Sequence, residues 1–177
     1  MTKMADRRIA ALKPADSKSM ARYRKVVGGA FDTLLGRGLP AAGAVERVEV
    51  ARRDRGDHVE STFLLRSKDH GEEIPVVSLH PNKKPWNKQV VIWIDGHGKS
   101  GLFSHDNSPR PEIQKLLAAG TAVVGADLLY QGEFLADGKP TTQTRTVSNP
   151  REFAGYTFGY NHTLFARRVH DVLTLIS

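Results

Sequence analysis

The chain contains no cysteine, which excludes a disulfide, a thiolate metal site and a cysteine nucleophile together. That absence leaves the compartment open, because redox environment has no thiol to act on. Also missing is any apolar run long enough to span a bilayer. The opening "MTKMADRRIAALKP" has basic residues with no apolar core behind them, so it does not read as a signal sequence. No membrane partner is expected. Internal repeats and low-complexity segments are absent too. What is there, 177 residues at 40% hydrophobic and 25% charged, suffices for one globular domain of ordinary size.

The formal net charge is +7, and its distribution decides what it means. Residues 1–55 carry 13 Lys and Arg against 6 Asp and Glu, whereas residues 56–177 carry 13 of each. The excess (Arg7, Arg8, Lys13, Lys18, Arg22 and others) is scattered over a helix and a hairpin, with few aromatics to stack bases. A solvated basic face accounts for it, and no nucleic-acid partner is expected. A non-catalytic binding module built on this basic region is the alternative.

Asp16 reads as the N-cap of an amphipathic helix in which Met20, Tyr23, Val27, Ala30, Phe31 and Leu34 recur until Gly36 and Pro40 stop the pattern. Residues 1–40 therefore read as an N-terminal helical segment, ahead of a main domain at 41–177. Val45–Val50 and Val59–Leu65 partly alternate around "RDRGDH", the pattern of an antiparallel hairpin. "EEIPVVSLHP" is a third strand and "PNKKPWNK" a surface loop. "QVVIWID", Gln89–Asp95, is apolar without alternation, which predicts a strand buried on both faces. Pro111 and Gly120 bracket a short helix with Ile113, Leu116 and Leu117 on one side. "TAVVGADLLY" follows as a second buried strand, so the three elements form a βαβ unit with parallel strands. Residues 131–155 read as a long loop of the kind that serves a binding site. Phe165, Val169, Val172, Leu173 and Ile176 predict the apolar stripe of a last helix, which leaves Arg168 and Asp171 on an exposed face.

The glycine-rich turn after "QVVIWID" admits three readings. A phosphate-binding loop needs Gly-x-x-x-x-Gly-Lys-Ser/Thr followed by a helix. Counting back from Gly98 reaches Trp93 inside the strand, and "SGLFSHDNSPRP" is too rich in Gly and Pro for a helix to start at Ser100. A nucleotide site on Gly98-Lys99-Ser100 is kept as an alternative. Glycines 96, 98 and 101 suit a turn whose main-chain N–H groups converge on a developing oxyanion. A plain glycine link between strand and helix is the third reading. Ser100, Ser104, His97, His105 and Asp106 lie close in sequence, but a triad is recognised by geometry and not by adjacency. His97, His105 and Asp106 lack the spacing of a metal site, so no metal is expected. The dispersed His58, His70, His80, His162 and His170 read as surface or loop histidines. Asp127 and Glu133 flank the end of the second buried strand, where a carboxylate usually ties down a loop.

Taken in order, the antiparallel start, "VVIWIDGHGKSGLF", a short helix, "VVGADLLYQGEF", a long loop and "FAGYTFGYNHTLFARRVHDVLTLI" resemble the first half of an α/β-hydrolase. More narrowly, residues 20–177 are similar to the acetyl xylan esterase-like group. The resemblance implies an α/β three-layer sandwich, antiparallel strands first and parallel strands after, preceded by an N-terminal helix. It implies a serine esterase acting on small acyl esters, acetyl groups on carbohydrate above all, with no cofactor. Asp95 and Gly96 stand where relatives carry the His-Gly pair that opens the oxyanion loop, and Asp95 departs from that pattern. His97 and Gly98 would supply backbone N–H donors, with Lys99 and Asp127 supporting the loop, and Arg168 and Asp171 would brace the turn after "TAVVGAD".

The nucleophile of this fold sits in Gly-x-Ser-x-Gly, and its acid and histidine follow in chain order. The sole Gly-x-Ser here is Gly98-Lys99-Ser100, with Leu102 where the second glycine belongs. The chain is therefore expected to carry no triad, to be inactive alone, and to be the first part of a longer protein. The bare edge of the Gln89–Asp95 strand would then be an aggregation hazard, so self-association is expected.

Overall fold

The computed structural model describes residues 2–137, 139 and 162–177, so most of the expected loop at 131–155 lies outside the described residues. The chain divides into two compact units, residues 1–38 and 39–177. In the first, helix α1 spans Thr2–Ala10, α2 spans Ser17–Tyr23, a single π turn covers Arg24–Gly28, and α3 spans Gly29–Leu35. Asp16 is the N-cap: its carboxylate accepts the Ser19 N–H at 2.7 Å while the Ser19 hydroxyl accepts the Asp16 N–H at 2.9 Å, a reciprocal cap that satisfies two orphan donors. Gly36, at φ 69, ends α3. No residue of α2, the π turn or α3 is fully buried. Helix α1 goes beyond the elements read from sequence; six of its nine residues are Ala, Lys, Met or Arg, good helix formers.

The second unit is built on one five-stranded sheet: β1 (Val45–Asp54), β2 (His58–Ser67), β3 (Glu72–Pro81), β4 (Val90–Trp93) and β5 (Ala122–Ala126), in the order β1-β2-β3-β5-β4. β1, β2, β3 and β5 pair antiparallel, and β4 pairs parallel with β5. The hairpin strands run longer than their alternation predicted, and in the turn between them the Asp54 carboxylate accepts the Gly56 N–H at 2.7 Å. Opposed charges support the register: Arg66 faces Glu73 across β2 and β3 and pairs with it at 2.6 Å.

Neighbouring residues of one strand point to opposite faces, and both faces are covered. Phe63, Leu65, Ile74, Val76 and Ala126 pack with Val172 and Leu175 of helix α5 (Leu164–Ile176). Val77, Leu79 and Val123 pack with Leu102 and with Ile113 and Leu117 of α4 (Pro111–Ala118). Helix, sheet and helix make the three-layer α/β arrangement that the resemblance implied.

Three expectations need correction. β4 is not buried on both faces: none of its four residues is fully buried, and Val90 is 52% exposed. Among the described residues it forms the sheet edge, with β5 as its partner. Helix α5 buries Ala166, His170, Asp171 and Thr174 and leaves Phe165 65% exposed. Of the expected stripe, Val172 packs on the core, but the buried side is shifted toward polar residues that help dock the helix: the Thr174 hydroxyl donates to Glu72 at 3.1 Å. His58 and His170, read as surface histidines, are each only 5% exposed.

Candidate active site

β4 and β5 run in the same direction with Trp93 beside Gly125, so the turns that leave them start side by side. Crevices at the C-terminal ends of parallel strands are where open α/β sheets hold ligands. In the first turn, Asp95 Oδ1 accepts the His97 N–H at 2.9 Å and lies 3.0 Å from His97 Nδ1. The Asp95 carbonyl accepts the Gly98 N–H at 3.2 Å. A 3-10 turn, Gly98–Leu102, follows. The His97 amide, then its ring and then Arg110 hold the Asp95 carboxyl below the usual carboxylate range. Asp95 packs over Gly101, where any Cβ would overlap it.

Asp127, the first residue past β5, is 1% exposed. Its Oδ1 accepts the Lys99 N–H at 2.9 Å, and its Oδ2 accepts the Glu133 N–H at 3.0 Å together with the Lys99 ammonium. That ammonium also bonds Glu133. A buried carboxylate survives only when paired and hydrogen-bonded, and Asp127 is both. Gly98, at φ 67, and Gly132, at φ 46, bound its slot: a Cβ on either would overlap the carboxylate.

The second turn, Leu128–Gln131, closes through the Gln131 N–H on the Leu128 carbonyl at 2.8 Å. Gln131 Nε2 then donates to the carbonyls of Asp95 and Gly96 at 3.0 and 3.2 Å, clamping one turn to the other. From α5, Asp171 accepts the Leu129 N–H at 2.8 Å and Arg168 Nε donates to the Leu129 carbonyl at 2.9 Å.

The sequence has no match among family models, and no curated protein matches it. Among solved structures, a candidate acetyl xylan esterase from Bacteroides fragilis superposes on 90% of this chain with a TM-score of 0.56 at 16% identity. The fold is that of part of an α/β-hydrolase. A glucuronoyl esterase from Solibacter usitatus covers 92% of the chain with a TM-score of 0.48 at 12% identity. The chain spans 44% and 49% of the lengths of these two structures.

Within this α/β-hydrolase fold, Asp95, Gly96, Lys99 and Asp127 lie together around the two turns. His97 and Gly98 are there too, each with a partner for its main-chain N–H. Their N–H groups are already spent on Asp95 Oδ1 and on the Asp95 carbonyl. Gly96 differs: it is exposed, its N–H has no hydrogen bond among the described residues, and open space lies beside its α-carbon. The Lys99 ammonium is neutralised by two carboxylates, so it is not poised for a nucleotide phosphate.

Ser100 donates to the His97 carbonyl at 2.8 Å. Ser104 and Asp106 belong to another turn, closed on Ser108, and no Ser-His-Asp set is assembled from them. Among the described residues no group of three His, Asp or Glu could hold a metal, and no helix is long and apolar enough to cross a membrane. Gln131 was missed from sequence because a neutral amide in a loop carries no periodicity or charge signal. Its one clue is position, three residues past Leu128, where a turn closes.

Proposed function

We propose that this chain is part of a serine carboxylic-ester hydrolase acting on acetyl esters of carbohydrate, and that the turn Asp95–Leu102 provides main-chain donors to the acyl oxygen. The observation that carries this is the unspent Gly96 amide on an exposed turn at the end of β4, braced by Asp127. In α/β-hydrolases one oxyanion donor comes from a strand-to-helix loop in this part of the sheet. The His97 amide is the second donor: it already holds a negative oxygen, Asp95 Oδ1, and an incoming oxyanion competes with that carboxylate for it. Likeness in fold to an esterase structure supports the reading.

The attacking serine, its histidine and its acid come from outside these 177 residues. Serine adds to the ester carbonyl, the amides hold the tetrahedral oxyanion, alcohol leaves, and water then releases the acyl group. No cofactor enters this scheme. The strand that carries the nucleophile adds to the open edge of β4. Without it, the chain self-associates through that edge, which sedimentation would reveal as concentration-dependent oligomers.

The test is to express the reading frame continued past the codon for Ser177 and to assay nitrophenyl acetate. The longer product should contain Gly-x-Ser-x-Gly and release nitrophenol with a burst, and the 177-residue chain alone should not. A longer product lacking that motif, or activity of the short chain surviving Ser100→Ala with Ser104→Ala, overturns the proposal.

A further inference from the structure

Tyr130 occupies a position that its side chain does not favour. It sits at φ 60, third in the turn Leu128–Gln131, while Leu129 before it is not at positive φ. That pattern belongs to a type II turn, in which glycine normally takes the third place. A bulky residue at positive φ is an outlier, and such strain persists where the surroundings impose it and concentrates at functional sites. The surroundings here are explicit: Asp171 and Arg168 hold Leu129 on both its N–H and its carbonyl, and Gln131 is tied to Asp95 and Gly96. Tyr130 itself is 57% exposed, between a buried Leu128 and a buried Gln131. Its ring therefore adds nothing to the core, although a glycine would fit the backbone better.

We propose that Tyr130 is a saccharide-contacting residue whose ring stacks on the sugar that bears the ester; this rests on the esterase reading above. A pyranose presents an apolar C–H face and a hydroxyl-rich edge. An exposed aromatic ring offers an apolar face to match that C–H face. The next residue, Gln131, bonds the carbonyl of Gly96, so the backbone that carries the ring and the turn that faces the acyl oxygen share one clamp.

The test compares wild type, Tyr130→Phe, Tyr130→Ala and Tyr130→Gly of the 177-residue chain, titrated with xylotetraose and acetylated xylotetraose by calorimetry and saturation-transfer NMR. Wild type and Tyr130→Phe should bind alike, and the Ala and Gly variants should bind about two- to tenfold more weakly. Tyr130→Gly should melt at or above the wild-type temperature, which separates lost contact from lost fold. Ala and Gly variants that bind as wild type does overturn the tyrosine assignment alone. If wild type binds neither saccharide while the longer reading frame still releases nitrophenol, the tyrosine assignment falls and the esterase reading stands. If the longer frame is inactive as well, both fall.

Discussion

The turns that leave β4 and β5 emerge from adjacent strands, yet they are held by opposite means. The first is largely self-contained: Asp95 binds an N–H two residues ahead, and its carbonyl takes the next. The second is held from a distance, by Asp171 and Arg168, 42 and 39 residues further on, and by Lys99, 28 residues before Asp127. Their carboxylates differ accordingly. Asp95 is partly exposed, and Oδ1 takes both the amide and the ring of His97. Asp127 is enclosed and bonded on both oxygens, as a brace requires. Gln131 joins the two.

The largest expected effect comes from removing the brace. Asp127→Ala leaves the Lys99 ammonium, 19% exposed, without its buried partner and two N–H groups unanswered. It should cost about 3–5 kcal/mol in chemical denaturation. A loss below about 1 kcal/mol, at the level of an exposed ion pair, would mean that the turns hold without it.

Gly98→Ala and Gly132→Ala come next. Each drives a methyl into Asp127 from a positive-φ position, which should cost about 1–3 kcal/mol. The Gly98→Ala cost should shrink in an Asp127→Gly background, a coupling that a double-mutant cycle reads directly.

Asp171→Leu removes the acceptor of the Leu129 N–H, and a buried donor left unanswered costs about 1–3 kcal/mol. NMR shifts should change most at residues 128–131 and less at 95–98, which feel the second turn only through Gln131. Changes of equal size in both turns would erase the distinction between them.

The smallest effect is acid sensitivity at Asp95. Its folded pKa is depressed, so the stability it contributes is present above its unfolded value, about 3.9, and is lost as pH falls through the folded one. Asp95→Asn should flatten that part of the stability profile between pH 5 and 2, within the general range of carboxylate titration. An unchanged profile would mean that Asp95 and the His97 amide are not coupled.

Much of this was legible in the sequence because the signals are local. Alternation set the hairpin, Asp16 announced its helix, and the strand-helix-strand spacing foretold parallel β4 and β5. The glycines marked a turn whose backbone had to pass close to something. What they had to pass was not legible: Gly98 and Gly132 lie 34 residues apart and face the same carboxylate.

The amino-acid order by itself determined the element types and the place of the glycine-rich turn after β4, since periodicity and glycine chemistry act within a few residues. Tertiary structure alone decided which face of α5 is buried, that His97 and Gly98 spend their amides on Asp95, and that Tyr130 is forced into a glycine's conformation. Each of those depends on a hydrogen bond whose geometry, and often whose partner, comes into being only when the sheet brings the chain together.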